Sequence, residues 1–110
     1  MKEANAQARQ MFERAIALDP QYAGAYVWLG LTYFNEWLFQ WSPDPQNLER
    51  AFELAQRARA LDDSLPVAHN LLSWIYGWGK KQPEQALAEA ERAIALDPTM
   101  LIAMRSWLTF

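Results

Sequence analysis

The chain has 110 residues, of which 52% are hydrophobic, and it carries 10 basic and 13 acidic side chains for a net charge of −3. Because it contains no cysteine, disulfides, thiolate nucleophiles and thiolate metal sites are excluded. The acidic balance argues against a nucleic-acid partner, since a nucleic-acid groove needs clustered Lys and Arg to displace counterions. No uncharged run reaches the ~20 residues that a membrane span needs, so we expect a cytoplasmic protein with no membrane partner.

An octapeptide is repeated along the chain. ERAIALDP at Glu13–Pro20 recurs unchanged at Glu91–Pro98, and a looser copy, QRARALDD, occupies Gln56–Asp63. The copies begin 43 and 35 residues apart, within the period range of stacked structural repeats. These copies predict a repeat array.

Two helical patterns alternate along the chain and predict six helices, at about 3–18, 22–41, 45–61, 65–78, 83–96 and 99–110. Around each octapeptide, small and apolar residues recur at intervals of four and three, as on one face of a helix: Ala8, Phe12, Ala15; Ala51, Ala55, Ala58; and Ala86, Ala90, Ala93. Between the copies, a second pattern has intervals of three, one and three: Tyr26, Leu29, Gly30, Tyr33; then His69, Leu72, Ser73, Tyr76; then a third start at Met104, Trp107, Leu108. Prolines lie near the predicted ends and starts, where proline is tolerated. The predicted unit is a helical hairpin.

These residue types and intervals closely resemble the tetratricopeptide repeat (TPR) family, as found in bacterial TPR domain proteins, over nearly the whole chain. Two sets of residues match the two helices of the motif: Ala8, Phe12, Ala15 and Pro20 for the second, and Tyr26, Leu29, Gly30 and Tyr33 for the first. The resemblance implies an all-α superhelix, a TPR solenoid of about six antiparallel helices with two full repeats and a half repeat at each end. It divides the chain into a helix at 3–18, a repeat at 22–61 with an insertion near 37–45, a repeat at 65–96, and a partial repeat at 99–110.

The first repeat is longer than the family's ~34 residues, and the extra residues lie between Tyr33 and Ala51. Aromatic residues crowd this part of the chain. Trp37 and Trp41 extend beyond the ordinary repeat and are candidates for a partner contact, with packing on Phe52 as the alternative. The string WLFQW lacks the Lys and Arg that would favour a membrane interface.

The resemblance also implies a concave groove lined by the first helix of each repeat. The corresponding stripe is Val27, Leu31 and Phe34, followed by Asn70, Trp74 and Trp78. Some members grip the C-terminal carboxylate of chaperones with Lys, Asn and Arg, but the equivalent positions here are Val27, Leu31, Leu71, Ile102 and Ser106. We therefore predict a hydrophobic or amphipathic protein segment as the ligand, with Asn70 available to hydrogen-bond its backbone.

The sequence predicts no catalytic residue, metal site or cofactor. His69 is the only histidine, has no cysteine or second histidine nearby, and is expected to be a packed structural residue. Asp62 and Asp63 are explained by helix termination, as in the sibling copies. The chain has no phosphate loop, nucleophile elbow or HExxH motif. We therefore expect a protein that is not an enzyme.

Three roles remain open at this point. The leading one is a non-catalytic interaction module, a scaffold that binds a protein or peptide segment in its groove. The second is a self-associating structural unit, in which Met104, Trp107 and Leu108 of the apolar last helix either bury against the preceding hairpin or form a homo-oligomer. The third is a regulatory fragment of a larger signalling protein, because EWLFQWSPDPQNLERA is similar to bacterial TPR regions that accompany nucleotide cyclase or other signalling domains.

Overall fold

The computed structural model describes residues 2–102, which form five α-helices and one π-helical turn. In chain order they are α1 (Lys2–Leu18), α2 (Ala23–Leu38), α3 (Asn47–Leu61), α4 (Pro66–Trp74), the π-helical turn (Ile75–Gly79) and α5 (Pro83–Leu96). The helices pack in chain order, with α2 and α3 as one hairpin, α4 and α5 as the next, and α1 against α2. No strand occurs in this described part of the chain. The all-α helical repeat fold predicted from the sequence is confirmed.

The insertion between α2 and α3 is shaped by two local turns. α2 ends at Leu38, before the predicted position 41, because Gln40 has a φ of 56° in the left-handed region. A residue with a side chain costs about 1–2 kcal/mol there, and the bond from Gln40 Nε2 to the Trp37 carbonyl oxygen at 2.8 Å helps to offset this. α3 begins at Asn47 rather than 45, because the Asp44 carboxylate accepts a bond from the Gln46 N–H at 2.9 Å and holds a turn ahead of the helix.

The end of the fourth helix differs from the sequence prediction of one α-helix over 65–78. From Ile75 the backbone widens into a π-helical turn, which is closed by the Lys80 N–H donating to the Ile75 carbonyl oxygen at 2.9 Å. Gly79 in this turn lies against α3, since a Cβ placed there would be 2.6 Å from Leu48 Cδ1. Lys81 then has a φ of 54°, so both first helices of the hairpins are followed by a left-handed residue.

The core forms where small residues let α2 and α3 approach closely. A Cβ placed on Gly30 would lie 3.3 Å from the Ala51 carbonyl oxygen and 3.3 Å from Leu54 Cβ, so the glycine sits at the crossing point of the two helices. The equivalent position of the next hairpin is Ser73, whose hydroxyl donates to the Ala86 carbonyl oxygen at 2.9 Å. The buried cluster consists of Val27, Phe34, Ala51, Ala55, Ala58, Ala68, Leu71, Leu72 and Ile75.

The contact between α1 and α2 includes buried polar side chains. Asn5 is buried and donates to the Thr32 carbonyl oxygen at 2.9 Å, and it accepts a bond from Asn35 Nδ2 at 3.3 Å. Arg9 donates to Thr32 Oγ1 at 3.2 Å, and its guanidinium lies 3.8 Å from the centre of the Tyr33 ring. Directional bonds therefore hold α1 against α2.

Residues 103–110 lie outside the described range, and with them Met104, Trp107 and Leu108. Their predicted burial or self-association stays a prediction. Within residues 2–102, no helix has both the length and the apolar character needed to cross a bilayer.

Candidate binding surface

An aromatic cluster joins α2 to α4. The Phe34 ring lies 5.8 Å from the Trp37 ring and 6.4 Å from the Trp74 ring, with the second pair stacked. Such offset arrangements add roughly 0.5–1.5 kcal/mol per pair to the energy of burial. Trp37 and Trp74 are half-buried, so each has one side on the core and another at the surface.

The structure corrects the predicted groove at two positions. Val27 is 3% exposed and Phe34 is 1% exposed, and both belong to the core cluster, so neither is available to a partner. The physical reason is that α2 packs against α1, α3 and α4 together, which covers the side assigned to the groove. Of the other predicted groove residues, Leu31, Asn70 and Trp74 are half-buried, and Trp78 is exposed. We use the name aromatic surface for the set Leu31, Trp37, Asn70, Trp74 and Trp78.

Asn70 brings an unusual polar group to the aromatic surface. Its Oδ1 atom is buried and has no hydrogen-bond partner in the protein. A buried acceptor left unpaired costs about 1–3 kcal/mol, and most such atoms in folded proteins are paired.

The insertion carries a second aromatic pair. Phe39 and Trp41 stack with ring centres 5.0 Å apart, and Phe39 is exposed while Trp41 is half-buried. Residues two apart on a helix do not face each other, and the left-handed Gln40 between them makes the contact possible. Trp37 meets Phe34, while Phe52 meets Tyr76 at 5.5 Å, and both Trp37 and Phe52 pack against the core cluster. The alternative that Trp37 and Trp41 pack on Phe52 stays a prediction. Sequence reasoning counted Phe39 among the aromatic residues of this region but did not single it out as a partner contact, although the FQW string at the predicted helix end was a usable signal.

His69 is a structural residue, as predicted. It is 4% exposed, and its two ring nitrogens lie 2.7 Å from Glu89 Oε1 and 2.6 Å from the Asp63 carbonyl oxygen. Glu89 is in turn paired with Arg59 at 2.8 Å. This network links α3, α4 and α5, and it occupies both nitrogens with internal partners.

A polar cavity of about 700 Å³ opens beside that network. Its charged and polar lining consists of Gln56, Arg59, Asp62, Asp63, His69, Glu89 and Arg92. The pKa of Asp62 is lowered because its carboxylate accepts bonds from the Ser64 hydroxyl and backbone N–H. No three side chains of the kinds that ligate metals converge within the part of the chain that the structure describes.

Comparison with known proteins places the chain in a family. The family model described as TPR repeat matches residues 2–36, and the one described as Tetratricopeptide repeat matches residues 67–100. The chain is also 36% identical over 88 residues to "Putative adenylate cyclase 3" of Rhizobium meliloti (strain 1021). That match covers 79% of this chain and 14% of the relative, so the chain spans a small part of that protein's length. With both hairpins and α1 arranged as helical repeats, the chain belongs to the tetratricopeptide repeat family.

Proposed function

We propose that this protein is a non-catalytic interaction module that binds a hydrophobic or amphipathic protein segment at its aromatic surface. TPR repeats typically mediate protein–protein contacts, and the described surface offers a chemically suitable site. The proposal rests on one observation: α4 and the turn after it bring together Trp74, Trp78 and the unpaired oxygen of Asn70.

The contacts of this surface suit a segment with both apolar side chains and a free backbone. Trp78 is 48% exposed, and Trp74 is braced from beneath by the Phe34 ring. A braced indole provides contact area at little cost in side-chain entropy, which is why Trp is frequent among the residues that dominate binding energy. Because the Asn70 oxygen is buried in the free protein, the Asn70 side chain must turn outward on binding before this oxygen can accept one backbone N–H of the ligand and gain the bond that it lacks.

The non-catalytic part of the proposal rests on how the ionisable groups are used. His69, Glu89 and Arg59 contact one another or the backbone, and Asp44 is paired with Arg50 at 2.6 Å. General acid–base catalysis needs a group that can reach a substrate proton, and these groups are already engaged in structural contacts.

A peptide selection tests the binding proposal. Peptides that bind the wild-type chain are selected from a random phage-displayed library, synthesised, and measured by fluorescence anisotropy against Trp78→Ala and Trp28→Ala. Trp28 is a matched control, because it is 43% exposed on α2 and lines a different cavity with Tyr22, Leu61 and Val67. We expect Trp78→Ala to weaken binding at least about tenfold, or about 1.4 kcal/mol, and Trp28→Ala to leave it unchanged.

Two further measurements complete that test. Asn70→Ala should weaken the same peptides without lowering the melting temperature, because its Oδ1 makes no internal bond. Failure to select any peptide, or equal losses for Trp78→Ala and Trp28→Ala, would contradict the assigned surface.

The cyclase relative favours a second candidate function, a regulatory segment of a larger signalling protein. The aligned 88 residues form 14% of the relative that is named "Putative adenylate cyclase 3". The corresponding segment of that relative can be replaced by this chain, with and without Trp78→Ala, and cyclase activity measured. A change in activity that depends on Trp78 supports regulation, whereas equal activity in both exchanges contradicts it.

A further inference from the structure

A cavity of about 590 Å³ lies where the turn between α1 and α2 meets the turn between α3 and α4. It shares no residue with the aromatic surface. Its larger apolar side chains are Tyr22, Trp28, Leu61, Leu65 and Val67. Cavities of roughly 300–1,000 Å³ with apolar walls and a few polar groups are typical of small-ligand sites. The charged groups of the lining therefore decide which ligand this cavity suits.

The two aromatic residues of this cavity are not required by the packing of the repeats. At the spacing of 43 residues that relates the first two octapeptides, Trp28 corresponds to Leu71 and Tyr22 to Leu65. Leu71 is 3% exposed and belongs to the core, whereas Trp28 is 43% and Tyr22 is 53% exposed. The Tyr22 ring folds back over the first turn of α2, since a Cβ placed on Gly24 would lie 3.1 Å from its Cε1 atom. Both rings therefore remain accessible at the cavity.

Two carboxylates give the cavity a negative charge. Asp19 and Asp62 are equivalent residues of the first two octapeptides, and both line the cavity. In each, Oδ1 accepts a bond from the backbone N–H two residues later, at 3.1 Å from Gln21 and 3.0 Å from Ser64. Bonds from the Ser64 hydroxyl and N–H lower the pKa of Asp62 and keep it ionised at neutral pH. Among the residues that the structure describes, no Lys, Arg or His lines the cavity or pairs with either carboxylate.

The helix ends beside this cavity do not change the sign of its charge. α1 and α3 end at the two turns, and their last carbonyl groups carry partial negative charge. α2 and α4 begin at the same turns, and their first N–H groups carry partial positive charge. Because the two kinds of end are present in equal number, their effects largely offset each other. The two carboxylates therefore determine the sign.

We propose that this cavity binds an organic cation, a positively charged nitrogen on an apolar body, held between the two carboxylates and the rings of Tyr22 and Trp28. The faces of aromatic rings attract cations, and Trp attracts them most strongly. Elsewhere in the described chain, the rings that contact Arg or Lys are Tyr26, Tyr33 and Phe52, and neither Tyr22 nor Trp28 has such a contact. A ligand can therefore supply the cation that these two rings lack.

Other classes of ligand fit the cavity less well. A metal ion needs more convergent ligands than two carboxylates, and no three metal-ligating side chains converge within residues 2–102. An uncharged apolar molecule would remove water from the carboxylates without giving them a partner. An anion would be repelled by them. A cation on an apolar body suits both the carboxylates and the apolar walls.

Two pairs of small probes test this proposal and separate a free cation from a cationic side chain. The first pair is choline and its uncharged analogue, in which a tert-butyl group replaces the trimethylammonium group. The second pair is N-acetyl-arginine methylamide and the corresponding uncharged citrulline compound. Each probe is titrated into the full chain, and binding is followed by NMR through the backbone amides of Gly24 and Val67, which line the cavity.

Two variants with matched controls locate the binding. The double variant Asp19→Asn with Asp62→Asn removes the charge, but asparagine keeps an oxygen that can accept the turn bond. Its control is Asp97→Asn, because Asp97 accepts the same kind of turn bond outside the cavity. Trp28→Leu replaces the ring by the residue type of the equivalent position in the next repeat. Its control is Phe39→Leu, because Phe39 is a 56% exposed aromatic residue outside the cavity.

We expect choline, the arginine compound or both to bind, each at least about fivefold more tightly than its uncharged analogue. The double asparagine variant and Trp28→Leu should each weaken binding at least about fivefold, while Asp97→Asn and Phe39→Leu leave it unchanged. Binding of choline alone assigns the site to a free small cation, and binding of the arginine compound alone assigns it to a side chain.

The proposal is overturned if neither cation gives a saturable shift at millimolar concentration, or if charged and uncharged probes bind equally. It is also overturned if the cavity substitutions weaken binding no more than their controls do. Because the cavity and the aromatic surface share no residue, failure of this test leaves the proposed peptide site standing, and failure of the peptide site leaves this one standing.

Discussion

The two identical octapeptides lie in different surroundings. Ala93 of the second copy has 0% exposure and Leu96 is half-buried, whereas Ala15 of the first copy is half-buried and Leu18 is 88% exposed. Both copies are helical and both end at an aspartate that accepts a turn bond from the residue two positions later. The local sequence therefore decides the helix and its end, while the helix packed alongside decides what is buried.

The junctions between repeats also combine the same helix positions with different side-chain contacts. Arg9 on α1 and Phe52 on α3 occupy equivalent positions, and they meet the equivalent rings Tyr33 and Tyr76. One contact is a cation over a ring and the other is an edge-to-face aromatic pair. The same arrangement of helices therefore accommodates either an arginine or a phenylalanine at this position, provided that the side chain contacts a suitable face or edge of the ring.

The largest expected effect comes from enlarging the same alanine in both octapeptides. Ala93→Leu should lower the free energy of unfolding by about 1–3 kcal/mol, because the fully buried site has no room for extra methylenes. Ala15→Leu should change it by less than about 0.5 kcal/mol, because that site is only half-buried. Urea unfolding followed by circular dichroism measures both. Equal losses of stability would contradict the difference in burial between the two octapeptides.

A smaller effect is expected at the polar junction of α1 and α2. Asn5→Ala removes the bond to the Thr32 carbonyl oxygen and should cost about 0.5–1.5 kcal/mol. The amide protons of α1 should then exchange faster while those of α4 keep their protection, since α1 can open locally. Gln7→Ala on the exposed side of the same helix is the control. Uniform acceleration along the chain would indicate that α1 and the two hairpins unfold as one unit.

The smallest effect concerns the aspartate that ends α3. Because bonds from Ser64 lower the pKa of Asp62 below its ordinary value of 3.8, the folded state is stabilised at pH values above that value. This stabilisation is lost as the pH falls through the lowered pKa. Asp62→Ala should therefore slightly reduce the melting temperature at pH 7, and the difference should vanish in strong acid. Ser64→Ala should remove part of the same pH dependence. A temperature gap that persists unchanged in acid would contradict this role.

The sequence predicted the helical repeats well but the binding surface less well. Spacing of small and apolar residues identified the hairpins, the crossing glycine and the packed His69, since these depend on helix periodicity alone. It did not distinguish Phe34, which is core, from Trp78, which is exposed, because both fall on the same predicted stripe. That distinction depends on how many helices surround α2.

The periodic pattern of this sequence was enough to determine that the chain forms helices, where most of them begin and end, and which residues lie at their crossings. Those properties arise from hydrogen bonds and side-chain contacts within a few residues along the chain. Only the tertiary structure decided that identical octapeptides would be buried differently, that the chain would widen into a π-helical turn at Ile75–Gly79, and that Asn70 would keep an unpaired oxygen. These properties depend on contacts between helices that are distant in sequence, and no local pattern specifies them.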